Sequence, residues 1–109
     1  MEFVRGDTEK YKFQRKDANG EVITTKASKI YFTVKKDGYS DDVLLQKTID
    51  DMTFDSDYYY HFTIEPEDTD EMDYGTYRYD VEVIQNGVKK TTVGEFILTE
   101  EITFTDDEV

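Results

Sequence analysis

The sequence contains no cysteine and no tryptophan, and in 109 residues it has one proline, one histidine and two alanines. The missing cysteine excludes disulfides, thiolate metal sites and a thiol nucleophile. Scarce alanine, with no segment that keeps a helical repeat for three turns, argues against a helical domain. Long apolar runs are also lacking. Nothing approaches the roughly 20 apolar residues of a membrane helix. The opening MEFVRGDTEK has no apolar stretch after its positive residue, so neither a signal peptide nor a membrane span is expected, and a soluble chain is.

What the chain does have is rings and negative charge. Nine Tyr and seven Phe point to a core built from aromatic side chains, which favour strands and bury large areas. One domain of this length can fold without staples. The net charge of −13 is uneven, with nine Lys/Arg against six Asp/Glu in residues 1–40 and four against twenty thereafter. A field this negative repels a phosphate backbone, so no nucleic-acid partner is expected. The negative charge is expected to make salt-sensitive contacts with a basic surface, for example the one basic stretch of the chain, Lys10 to Lys36, in a neighbouring subunit.

Alternation with a period of two runs through most of the chain. Phe3, Tyr11 and Phe13 alternate with polar neighbours, and Arg5-Gly6-Asp7 divides this first strand by a turn or bulge. Asn19-Gly20 reads as a tight hairpin leading into a short strand, Val22 to Thr25. Ile30, Phe32 and Val34 share one face of a strand from Ser28 to Lys36. Another strand is expected from Val43 to Ile49, followed by an acidic loop, Asp50 to Asp57, anchored by Met52 and Phe54. Tyr58, Tyr60, Phe62 and Ile64 then alternate up to Pro66, where Pro66 to Met72 has the composition of one or two helical turns. Tyr77 to Val83 forms the next strand, Asn86-Gly87 a second hairpin, and Val88 to Thr99 the returning strand, with Val93, Phe96 and Leu98 as apolar positions. Residues 1–104 form one unit, and 105–109 are an acidic, frayed end. Seven or eight short antiparallel strands with one helical turn are the arithmetic of a β-sandwich.

One motif narrows the class. Asp73, Gly75 and Tyr77 have the D-x-G-x-Y spacing of the tyrosine corner, in which the glycine permits a tight crossing between sheets and the tyrosine hydroxyl returns to an upstream backbone group. An immunoglobulin-like sandwich is therefore expected. Tyr79 stands where antibody-type domains carry the second Cys.

Several segments in order carry a resemblance: Phe3-Val4-Arg5-Gly6-Asp7-Thr8, Ile30-Tyr31-Phe32-Thr33-Val34-Lys35-Lys36, Phe62-Thr63-Ile64-Glu65-Pro66-Glu67-Asp68-Thr69, Tyr74-Gly75-Thr76-Tyr77-Arg78-Tyr79-Asp80-Val81-Glu82-Val83 and Gly94-Glu95-Phe96-Ile97-Leu98-Thr99. Together they resemble the N-terminal domain of the baseplate upper proteins of tailed bacteriophages, over nearly the whole chain. The resemblance implies an immunoglobulin-like virion component, often a symmetric multimer, that anchors receptor-binding or side-fibre proteins to the tail. Members of that family usually continue into a longer C-terminal part, so a stand-alone phage or prophage tail accessory protein is expected. It would reside in the virion, or in the host cytoplasm before assembly.

Constellations that could carry chemistry have blander readings. His61 falls on the wet face of its strand, and a triad would need Ser28, Ser40 or Ser56 brought to it by chance. Asp50, Asp51, Asp55 and Asp57 could hold calcium, but the offsets of the helix-flanked calcium loop are unmatched, and a solvated loop is favoured. Asp68, Asp70, Glu71 and Asp73 share one wet turn, which helix-end electrostatics explains better than glycoside hydrolysis. The Arg5-Gly6-Asp7 tripeptide reads as a strand break before an adhesion signal. Tyr31, Tyr39, Tyr59 and Tyr74 are candidate interface rings. No cofactor and no metal is expected. The expectation is a non-catalytic protein of a phage tail or baseplate that docks protein partners, with a homo-oligomer among the options; the alternative is a carbohydrate-binding or adhesion sandwich.

Overall fold

The computed structural model describes residues 1–39 and 41–100. Ser40 and the expected acidic end at 105–109 lie outside the described residues. Among the described residues, eight strands form two sheets. The larger has the order β1 (Glu2–Val4), β8 (Val88–Thr99), β7 (Gly75–Gln85), β3 (Lys29–Lys35), β4 (Val43–Thr48), and the smaller has β2 (Glu9–Gln14), β6 (Tyr59–Ile64), β5 (Thr53–Phe54). A three-residue 3₁₀ turn, Ile49–Asp51, precedes β5, and a single helical turn, α1 (Pro66–Thr69), precedes the crossing to β7. If β2 to β8 are read as B, C, C′, D, E, F and G, the sheets are B-E-D and C′-C-F-G, the order of an immunoglobulin sandwich. The chain is an all-β, immunoglobulin-like sandwich. One pairing departs from the all-antiparallel expectation: β1 runs parallel to β8, with Glu2 opposite Ile97.

The division of the first strand follows from Gly6, whose φ of +87° lets the chain leave one sheet and enter the other. The amide of Gly6 donates to the Thr69 hydroxyl, which is wholly buried, at 3.1 Å. Alternation then places Ile30, Phe32 and Val34 from β3 against Tyr60, Phe62 and Ile64 from β6, all buried. Phe32 sits at the centre of the rings, 4.9 Å from Phe62 and 5.6 Å from Tyr79 between centroids. Tyr79 thus fills, by ring packing, the position where antibody-type domains place a disulfide. A second cluster stacks Phe13 on Tyr60 at 5.1 Å, and the Tyr60 hydroxyl accepts from the buried Ala27 amide at 3.0 Å.

Four local expectations need correction. Val22 to Thr25 is not a strand, since only a single bridge joins Lys16 to Val22. Asn19-Gly20 is not a two-residue turn, because only Gly20 has positive φ (+83°), and Asp17 closes a three-residue loop by accepting from Asn19 and Glu21. Tyr58 lies outside β6, in a loop of the same design in which Asp55 accepts from Asp57 and Tyr59; its φ is +68°. Val93 is 62% exposed, because Phe96 and Leu98 fix the even-numbered face of β8 as the inner one. Asn86-Gly87 does form the two-residue hairpin, with φ of +53° and +77°, and joins Gln85 to Val88.

Candidate functional site

The site grows from a mismatch in strand length. β7 and β8 run for 11 and 12 residues, whereas β2, the outermost strand of the opposing sheet, runs for six. The far half of the β7–β8 hairpin is therefore incompletely covered. Val81 and Val83 are half-buried although they continue the inner face of Tyr77 and Tyr79, and Val88 is 70% exposed. The result is a cleft of about 720 Å³ between β2 and the inner face of the hairpin, floored by Tyr11, Phe13, Tyr79, Val81 and Val83. Ile23 walls one end, held by the hydrogen bond its amide donates to the Arg15 carbonyl at 2.9 Å.

The rim of this cleft is cationic in a strongly anionic chain. Arg15, Lys16 and Lys90 line it, and the one acidic residue there, Asp17, turns its carboxylate to the amides of its own loop. The cleft floor also holds a hydroxyl that keeps its proton. Burial, the Glu9 carboxylate and then Tyr79 push the Tyr11 phenol up to about 12.

The upper margin of the cleft is an open strand edge. Odd-numbered residues of β8 turn their backbone groups outward: the Glu95 carbonyl accepts from the Met1 amine, the Ile97 amide donates to the Met1 carbonyl, and the Thr99 carbonyl accepts from the Arg5 amide. The same parity directs the N–H and C=O groups of Lys89, Thr91 and Val93 outward. Among the described residues, β1 covers only Ile97 to Thr99 and no strand lies on that stretch.

The corner residues are placed as the motif requires. The Tyr77 hydroxyl donates to the Asp73 carbonyl at 2.6 Å, and Gly75 has φ of +140°. Burial, and then the Asp73 charge, raise the Tyr77 phenol above its ordinary value. The four candidate interface tyrosines are not brought together. Tyr31 lies in a shallow depression on the outer face of the larger sheet, Tyr39 at 97% exposure in the β3–β4 loop, and Tyr59 on the outer face of the smaller sheet. Tyr74 is held by Arg5, whose guanidinium sits 4.2 Å from the ring centroid and donates to its hydroxyl and to the Met72 carbonyl. The Arg5-Gly6-Asp7 tripeptide is thus a turn with its arginine engaged.

The charged clusters serve turns. Asp55 accepts from the Tyr59 and Asp57 amides and lies 2.6 Å from His61 Nε2. The His61 bond first, and then the amides, hold this carboxyl below its usual range. Asp51 accepts from the Thr48 amide at 2.8 Å. Among the described residues, no three metal-ligating side chains converge. The acids after Pro66 do not share one wet environment, contrary to expectation. Asp68 accepts from the Glu65 amide and pairs with Lys47 at 2.8 Å, with both side chains under 20% exposed, which ties α1 to β4.

Fold and site together define an immunoglobulin-like sandwich with an aromatic core and an open lateral cleft. No family model, no curated protein and no solved structure matches the chain. Sequence reasoning missed the cleft, although one signal for it was present: the strand returning from Asn86-Gly87, Val88 to Thr99, is twice the length of the one around Tyr11 and Phe13.

Proposed function

We propose that this chain is a non-catalytic structural module that docks a protein partner within a bacteriophage or prophage tail or baseplate. The observation that carries the docking reading is the cleft: half-buried rings and valines beside an unpaired strand edge form a surface whose apolar area and backbone groups are both available to another chain. The tail setting rests on the ordered segments that resemble baseplate upper proteins. The engagement of Asp55, His61, Asp51 and Asp68 in turns and ion pairs supports a structural role for them rather than an acid–base one.

The test is light scattering on the purified protein, alone and mixed with any tail or fibre proteins found to be encoded beside it, run in parallel with a glycan array. A defined oligomer or stoichiometric complex is expected. A monomer that ignores those proteins and binds a sugar would replace the docking reading with carbohydrate recognition.

A further inference from the structure

We infer that the cleft takes an extended, acidic strand of the partner protein, added to the Lys89 to Val93 edge of β8 in line with β1. This rests on the docking reading and specifies what is docked. Three observations combine. First, the edge presents the outward N–H and C=O groups of Lys89, Thr91 and Val93, which an incoming strand would satisfy as β1 satisfies Ile97. Second, the cleft opens on the inner side of that edge, so every other side chain of an added strand would point into it, beside Lys90 and Thr92 of β8 and towards Tyr11 of β2. Third, Arg15, Lys16 and Lys90 stand around the opening. Their charge opposes that of the rest of the molecule, and it selects acidic side chains from the strand that enters.

A sugar or small apolar ligand would use the floor but leave the row of edge groups unsatisfied. A basic strand would meet three cations. An acidic strand with alternating apolar residues answers all three features at once.

The experiment uses the full chain, isotopically labelled for NMR, and a synthetic end-blocked peptide, Glu-Val-Thr-Val-Thr-Val-Asp-Glu, with its counterpart in which every acid is lysine. The acidic peptide is expected to shift the Lys89, Thr91 and Val93 amides and protect them from exchange, with affinity that falls as salt rises. The lysine peptide should bind about tenfold more weakly or worse. Thr91→Pro removes one outward donor at an exposed edge position without touching the floor, and should abolish protection. The double variant Lys16→Glu with Lys90→Glu should weaken the acidic peptide by about tenfold or more. Melting curves on each variant establish that it is folded.

Equal binding of both peptides at the cleft would overturn the acidic preference while leaving docking intact. Undiminished binding to Thr91→Pro would overturn strand addition. If neither peptide perturbs the cleft, the docking reading falls with the inference. Binding only after removal of residues 101–109 would assign the cleft to the chain's own acidic end and so overturn a partner as occupant.

Discussion

Gly94 lies opposite Tyr79 in the β7–β8 pair, and a Cβ built on it would stand 2.7 Å from the Cε1, Cζ and Oη atoms of that ring. Ordinary carbon contacts begin near ~3.5 Å, so Gly94→Ala forces the ring to retreat by about 0.8 Å. Inward movement is blocked by Phe32, 5.6 Å away between centroids. The open direction is outward, into the cleft that Tyr79 lines. That motion forfeits a ring pair, at ~0.5–1.5 kcal/mol, and some of the burial of Tyr79, while alanine in place of glycine in a strand returns ~0.5–1 kcal/mol. The net expectation is a loss of about 1 kcal/mol for alanine, and of about 2–3 kcal/mol for the bulkier valine. Urea unfolding should show a lower midpoint with an unchanged slope, and melting should fall by about 4–8 °C per kcal/mol. The decisive comparison is made in a Tyr79→Leu background, where the clashing atoms are gone. There Gly94→Ala should be neutral or stabilising by up to ~1 kcal/mol, a coupling of about 1–2 kcal/mol between the two sites. Effects that simply add, within ~0.5 kcal/mol, would refute the claim that the glycine exists to seat the ring.

Removing the corner hydroxyl, Tyr77→Phe, should cost about 1 kcal/mol in chemical unfolding; the value lies at the low end because Asp73 is exposed and water can replace the lost donor. Gly20→Ala should cost ~1 kcal/mol through backbone strain alone, since nothing lies within 4 Å of the added methyl at φ +83°. Tyr58→Gly, at the equivalent place in the twin loop, should fall within ~0.5 kcal/mol of neutral, because relief at φ +68° is offset by unfolded-chain entropy and by the lost contact with Phe54. Absorbance titration should reveal a tyrosine ionising near pH 12 that Tyr11→Phe removes. Because the folded pKa of that phenol is raised from 10.0 to about 12, the unfolded chain loses its proton first. Its contribution is therefore complete below pH 10 and disappears as pH climbs towards 12, and Tyr11→Phe should flatten that alkaline limb.

Strands with a buried face were legible because burial imposes a strict period: β3 and β6 place every second residue in the core, and the pattern of Ile30, Phe32, Val34, Tyr60, Phe62 and Ile64 admits only one register. The corner was legible because its chemistry is local, with Tyr77 and Asp73 four residues apart. Val22 to Thr25 misled for the converse reason. Val22 is exposed and Thr24 and Thr25 face solvent, so β propensity there had no packing to enforce it. The Asn19-Gly20 signal was overridden by Asp17, whose carboxylate caps a longer loop. Lys47 and Asp68, 21 positions apart, could be paired only by the crossing of α1 over β4, which no short-range pattern encodes. The cleft likewise depends on how far one sheet overhangs the other, a difference between strands rather than a property of any one of them.

The treatment of the sheet edges ties the cleft to a role. At one edge, β4 carries Lys47, which points inward to Asp68, and its pairing with β3 slips between Val34 and Lys35. Both features discourage a further strand. β5 is only two residues long, too short to template one. β8 is different: from Val88 to Val93 it is regular, has no proline, and adjoins exposed apolar surface. Its two lysines, Lys89 and Lys90, do not block pairing in general. They repel a second copy of the same edge, where like charges would face each other across the new ladder, and they attract a strand of opposite sign. An edge protected only against itself, beside a cleft whose cations oppose the charge of the rest of the molecule, is suited to selective addition of an acidic partner strand and poorly suited to indiscriminate aggregation.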